Sequence, residues 1–282
     1  MTAARRGALL ICAAALLWST AGIGIKTIDE PPLKVAFFRS AFAAVALFAL
    51  LRPRLPRWTA GFTVALVSYA ACLTTFVVAT KWTTAANAIF LQYSGVVWVL
   101  LLSPVVLKEP FRPRDAIAVV VALGGMALFF VGKFRAGGAG DAMALLSGVL
   151  FASLILSLRS ERDSGAAAAV TWGNVLACAA LLPFVAGDLS LSGRSAVILG
   201  LLGVFQIAAA YALFVRGLKF VTATQASLVG MLEPVANPLW VFLFLGERPG
   251  APAIAGGIVV LGAIAWRTIA AGPPAGALPP PE

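Results

Sequence analysis

Glu233 stands inside an apolar stretch that runs from about 220 to 246. A lone carboxyl at mid-membrane depth is costly, so the chain must either use it or neutralise it. Used, it meets a substrate amine or exchanges a proton. Neutralised, it is a protonated or hydrogen-bonded group bracing a kink at Pro234, whose ring removes a backbone donor and frees a carbonyl. Arg39 is a second charge within an apolar stretch, about 33 to 51. It neutralises a substrate carboxylate, pairs with Glu233, or snorkels to headgroups. Lys26 and Lys34 lie nearer stretch ends, where snorkelling is the expectation. Glu233, Asn237 and Trp240 are spaced i, i+4 and i+7, share one helix face, and are expected to look into the protein. Pro238 adds a second break to that helix.

Five aromatic residues inside apolar stretches, Trp18, Tyr93, Trp98, Trp172 and Tyr211, either wall a flat-sided pocket or pack the core. Their polar atoms need partners when buried, which turns such residues inward or to the interface. Asn87, Gln92, Asn174 and Gln206 lie in or near lipid depth. They read an amine and a carboxylate, or tie helices together. The candidate substrate site is thus Trp18, Arg39, Asn87, Tyr93, Trp98, Trp172, Asn174, Gln206, Tyr211, Glu233, Asn237 and Trp240.

Other chemistry is missing. The chain has no His, and its three Cys (Cys12, Cys72, Cys178) each sit in an apolar run. No disulfide framework, metal centre or cofactor is expected. No HExxH or GxxxxGK[ST] occurs, so neither zinc hydrolysis nor ATP drives anything. A membrane enzyme working with two carboxyls lacks its second member at mid-depth. A channel is a third class, separable from a transporter by unitary currents against slow, saturable counterflow.

The elements that position these residues follow from composition. Of 282 residues, 61% are hydrophobic and 11% charged, and mean hydropathy is +0.98. A soluble domain carries roughly 25% charge. Soluble enzymes, disordered chains and secreted disulfide scaffolds are excluded. The net charge of +10 is spread between apolar segments, which suits anionic lipid headgroups and not nucleic acid. A crossing helix needs about 20 apolar residues. Ten stretches qualify, at 7–25, 33–51, 59–80, 82–107, 116–132, 142–158, 164–187, 195–215, 220–246 and 249–266. The expected fold is therefore an all-α integral membrane protein of ten transmembrane helices. Arg5-Arg6 before an apolar run is read as an uncleaved first span.

Of the 21 Lys and Arg, 13 fall on the side of the N-terminus and 8 on the other, which places both termini in the cytoplasm. Trp58, Trp82 and Trp266 near span ends read as interface anchors. The Pro-rich residues 272–282 read as a disordered tail. Expected partners are a small-molecule substrate and membrane lipids, with no nucleic acid and a monomeric state. Ala118/Ala122 and Ala253/Gly257 are small-xxx-small pairs for close helix packing, within or between subunits. Gly22 and Gly24 loosen span 1 or allow close packing.

The sequence also repeats. Thr84-Ala85-Ala86-Asn87-Ala88 matches Thr222-Ala223-Thr224-Gln225-Ala226, and Leu107-Lys108-Glu109 falls on Leu245-Gly246-Glu247 at the same offset of 138. Gly95 then stands opposite Glu233. Residues 1–137 and 138–271 each hold five spans. Five is odd, so the second half is threaded oppositely, and a cavity is expected where two inverted five-helix repeats meet.

The run from Ala223 through Glu233-Pro234-Val235-Ala236-Asn237-Pro238 to Leu245-Gly246-Glu247 resembles the ninth-helix signature of the drug/metabolite transporter superfamily, EamA branch. Leu16-Leu17-Trp18-Ser19 and Phe38-Arg39-Ser40 fit the same family, and the resemblance covers about residues 7–270. Lys81 through Tyr93 most resembles YddG-type exporters of aromatic and other amino acids. The resemblance implies a basket in which spans 1–4 and 6–9 surround a central cavity while spans 5 and 10 pack outside. It implies a secondary exporter of amino acids and related metabolites in the bacterial inner membrane, working by alternating access. The competing transport reading is proton-coupled export of cationic drugs.

Overall fold

A computed structural model describes residues 2–54, 58–128, 138–245 and 250–269 of the chain. Every regular element among them is helical. The first group is α1 (Ala3–Trp18), α2 (Ala21–Lys26), α3 (Pro32–Leu51), α4 (Ala60–Trp82), α5 (Ala85–Gln92), α6 (Gly95–Val106) and α7 (Pro113–Leu128). The second is α8 (Ala139–Ser160), α9 (Ala166–Val185), α10 (Gly193–Leu201), a π-helical segment (Leu202–Ala209), α11 (Ala210–Gly217), α12 (Ala223–Gly230), α13 (Leu232–Leu245) and α14 (Ala251–Ile269).

Among the described residues, eight helices are long and apolar enough to cross a bilayer. They include α1–α2, α5–α6 and α10–α11, each as a single crossing, with α3, α4, α8, α9 and α14. The sequence places two further spans at α7, described for 16 residues, and at α12–α13, which is interrupted at Met231. Gly246 and Glu247 of the motif, Arg57, Lys133, Arg135 and Arg248 of the charge tally, and the tail 272–282 lie outside the described residues.

Three crossings are broken or distorted where the sequence reads as continuous. Span 1 breaks at Ser19–Thr20, where the two hydroxyls donate to the freed carbonyls of Leu16 (2.6 Å) and Leu17 (2.8 Å). Span 4 breaks at Tyr93–Ser94, with Ser94 Oγ donating to Leu91 O at 2.6 Å. Span 9 breaks at Met231, three residues before the expected kink at Pro234. Pro234 then falls in the first turn of α13, where a missing N–H costs no helical bond. The caps and breaks of α5–α6 recur 138 residues later in α12–α13. Thr84 Oγ1 accepts from Asn87 N at 3.0 Å, and Thr222 Oγ1 accepts from Gln225 N at 3.2 Å.

Helix pairs are reciprocal. α1 packs on α11 and α4 on α8; α3 packs on the π segment and α4 on α9; α3 meets α9 and α7 meets α14. Where the end of α5 crosses α8, an added Cβ on Gly148 would sit 2.8 Å from Gln92 O; glycine permits that approach. Ala118 and Ala122 are fully buried on α7, and Gly125 sits against Val259 of α14. The small residues of span 5 therefore pack within the chain. A Cβ on Gly24 would lie 2.7 Å from Leu202 Cδ2, which fits the packing role for that glycine.

Polar contacts tie the helix ends into two sets. At one end Glu109 accepts from Arg159 Nε (2.8 Å) and from the backbone N–H of Ala223 (2.9 Å), while Arg159 Nη1 donates to Leu218 O (2.6 Å). Thr59 donates to Glu161 (2.6 Å), Arg267 pairs with Asp115, and Arg6 lies over the Phe220 ring. At the other end Lys34 bridges Glu30 (3.0 Å) and Asp188 (2.8 Å), Lys26 donates to Thr83 O (2.7 Å), and Thr83 donates to Asp141 (2.8 Å).

Candidate functional site

The helix breaks converge on a small hollow inside the bundle. α1, α3, α4, α5, α8, the π segment, α11 and α13 each contribute to its wall; α7 and α14 do not. Its volume is about 40 Å³, enough for about three waters at ~10–15 Å³ each. An amino acid enters only if the helices part.

Arg39, in the middle of α3, is 1% exposed. Its Nη1 donates to Gln206 Oε1 and its Nη2 to Leu73 O, both at a long 3.4 Å. Its Nε has no partner. Among the described residues it forms no ion pair. A buried guanidinium held only by two long bonds to neutral groups retains donors and charge for an incoming anion. Gln206 belongs to the π segment, whose wider turn is a frequent mark of function.

Glu233 lies across the hollow, buried at the second position of α13. Its Oε2 accepts from the Tyr93 hydroxyl at 2.9 Å, and that hydroxyl is also 2.6 Å from Gly230 O. Two helix breaks are thereby joined through one phenol. Gln92 beside it donates to Ser147 Oγ at 2.8 Å.

Aromatic rings form the remaining wall. Trp18 packs on Tyr211 at 5.0 Å between centroids and on Phe214 at 4.9 Å; Tyr211 meets Tyr69 edge-on at 4.8 Å. Asn174 stands behind this wall and donates to Tyr69 Oη at 2.9 Å. Trp18 Nε1 is buried without a partner.

Of the twelve sequence candidates, Trp18, Arg39, Gln206, Tyr211 and Glu233 line the hollow. Tyr93 and Asn174 support it from behind. The other five sit elsewhere. Asn87 is at one end of the bundle beside Thr83 and Asp141. Trp98 points outward, 46% exposed, and Trp172 packs edge-on against Phe48. Asn237 approaches Gly22, while Trp240 donates to Ser19 Oγ at 2.6 Å. The shared face of α13 thus turns inward at Glu233 and toward the α1–α2 break further along. Sequence reasoning passed over Cys72, Phe76, Phe151 and Ile207, which also line the hollow. Nothing in their types marks them; only the rotation of α4, α8 and the π segment brings them in.

The model of the EamA-like transporter family matches residues 5–131 and again 138–268. The chain belongs to the EamA-like transporter family. As an EamA-like transporter it is a multi-pass membrane protein that moves small molecules and is not an enzyme. Two proteins described as uncharacterized transporters of Archaeoglobus fulgidus are similar to it. One is 25% identical, with 93% of this chain and 97% of the relative covered; the other is 24% identical, with 92% and 96% covered. A protein of known crystal structure shares the fold with a TM-score of 0.79 at 18% identity, covering 93% of this chain and 96% of that one. Members of such a family bind cargo in a cavity among helices, which fits a hollow walled by seven of the bundle's crossings.

Proposed function

We propose that this EamA-like transporter is a secondary exporter of amino acids, aromatic and other neutral ones, working by alternating access. The observation that carries the reading is Arg39: a buried guanidinium without an acidic partner among the described residues, facing a hollow with Glu233 opposite and aromatic rings between. Arg39 and Gln206 take the substrate carboxylate, Glu233 takes the amine, and Trp18 and Tyr211 flank the side chain. Tyr93 and Asn174 hold Glu233 and Tyr69 in place. Cationic drugs are the poorer fit, because they bring no carboxylate to offset the buried charge of Arg39.

The architecture proposed is ten crossings as two inverted repeats, residues 1–137 and 138–271, with α7 and α12–α13 as the fifth and ninth. The double family match, the reciprocal helix pairs and the recurrence of the α5–α6 break in α12–α13 support it. With 13 basic residues at the end holding Arg6, Arg159 and Arg267, both termini are assigned to the cytoplasm of a bacterial inner membrane. The protomer is taken to be monomeric.

Competition in reconstituted vesicles tests the substrate class. Excess unlabelled tryptophan or phenylalanine should suppress uptake of labelled amino acid, and a lipophilic cation should not. The opposite order would replace the amino acid reading with the drug reading. Labelling of cysteines placed after Thr2 and in the 186–192 loop from opposite sides of the membrane tests the inversion.

A further inference from the structure

A second cavity among the described residues is far larger than the central hollow. It is a groove of about 700 Å³ on the outer surface, between the start of α4, the end of α6 and the end of α8. Val64, Trp98, Leu102, Val106 and Val149 line it and are 40–57% exposed. Two of its three serine hydroxyls are engaged: Ser153 Oγ is 2.8 Å from Ser68 Oγ, and Ser157 Oγ donates to Ser153 O at 2.7 Å. The third, Ser160, is exposed at the end of α8, and the rest of the wall is mainly hydrocarbon.

Length and charge identify the occupant. Along α8 the groove runs from Val149 to Ser160, a rise of about 16 Å. That is about the depth of one leaflet, half of a ~30 Å hydrocarbon core. Its mouth opens at the bundle end where Thr59 meets Glu161, beside half-exposed Arg162. The sequence assigns the larger share of Lys and Arg to this end, and Arg6, Arg159, Arg162 and Arg267 are among those described there. The acids described there are engaged, Glu109 by Arg159, Asp115 by Arg267, Glu161 by Thr59 and Asp163 by Arg162. The surplus charge suits an anionic headgroup.

A counterpart sits between α2, α10 with the π segment, and α13. Its Ile198, Leu202 and Trp240 stand 138 residues after Ala60, Val64 and Leu102. It is smaller, about 300 Å³, and Trp240 reaches across it to Ser19, which lies 138 residues before Ser157. At the matched position the open groove carries Leu102 and the narrowed one Trp240.

We propose that the groove between α4, α6 and α8 holds one acyl chain of an anionic phospholipid from the leaflet at the basic end of the bundle. The inference rests on membrane embedding and is independent of the substrate assigned above.

The test reconstitutes the full chain in an equimolar mixture of phosphatidylglycerol and phosphatidylcholine, extracts it in mild detergent, and counts retained lipids by native mass spectrometry. Wild type should retain one phosphatidylglycerol. Leu102→Trp, copying Trp240, should lower that occupancy about tenfold by displacing a few methylenes. Val105→Trp adds the same indole on the 77% exposed side of α6 and should keep the lipid. No retained lipid in wild type overturns the proposal, as do equal occupancy in the two variants, equal retention of phosphatidylcholine, or a dimer mass with the groove empty of lipid.

Discussion

Tyr93 and Glu233 are 140 residues apart in the chain and 2.9 Å apart in the bundle. Each stands at the interruption of a crossing, Tyr93 where α5 gives way to α6 and Glu233 just after α12 gives way to α13. The phenol also reaches Gly230 O, a carbonyl freed by the break. One hydroxyl thus secures a carboxyl and a loose backbone group inside the bundle, where an unpaired polar group is costly.

Tyr93→Phe removes that hydroxyl and leaves the ring. The expected loss of stability is about 1–2 kcal/mol, the upper range for hydrogen bonds inside membrane bundles. Thermal unfolding in detergent measures it. An unchanged midpoint would mean that Glu233 and Gly230 find other partners.

Arg39→Lys keeps a charge but loses the planar fork that addresses Gln206 and an anion together. Transport should keep its maximal rate more nearly than its apparent affinity, which falls about tenfold or more for a lost charge-assisted pair. Concentration dependence of flux separates the two. A lysine variant with wild-type affinity would remove Arg39 from substrate binding.

Glu109 holds three segments at once, through Arg159, Ala223 N and, by Arg159, Leu218 O. Glu109→Gln should weaken this clasp by about 1–3 kcal/mol, because both partners are largely buried. Faster thiol labelling of a cysteine placed at Thr222 would report the looser end. Labelling at the wild-type rate would show that the clasp is not what holds the end shut.

At the opposite end, Lys34 Nζ at 2.8 Å and the donors of Ser190 hold the Asp188 carboxyl well below the usual carboxylate range. Its pKa is lowered on folding. The stabilisation is present above the ordinary carboxylate pKa and is lost only as pH falls through the depressed value. The coupling between Lys34→Met and Asp188→Asn, read from unfolding midpoints, should therefore persist at a pH of about 4, where a free aspartate half-protonates. Coupling that vanishes by then would contradict the pairing.

Eight crossings were legible because a membrane-spanning helix needs about 20 mostly apolar residues, and Thr84 and Thr222, matched in sequence, both cap helices. Five residues of the hollow were legible for a related reason: Trp18, Arg39, Gln206, Tyr211 and Glu233 are polar or amphipathic side chains that cannot face lipid cheaply. The same rule misled at Trp98, whose indole tolerates the membrane surface, and at Trp240, whose partner Ser19 lies at a break no spacing reveals. The interruption at Met231 was hidden because Pro234 marks the first turn of a new helix as readily as a kink. Cys72 and Phe151 were invisible because apolar residues on a crossing look alike until the helix rotation is known.

The most direct test is counterflow of labelled phenylalanine in proteoliposomes carrying wild type or Arg39→Gln. The account predicts saturable accumulation by wild type, lost in the variant while its unfolding midpoint shows a folded protein. Flux no greater than in empty liposomes across a broad amino acid panel, or equal flux by the folded variant, would contradict it.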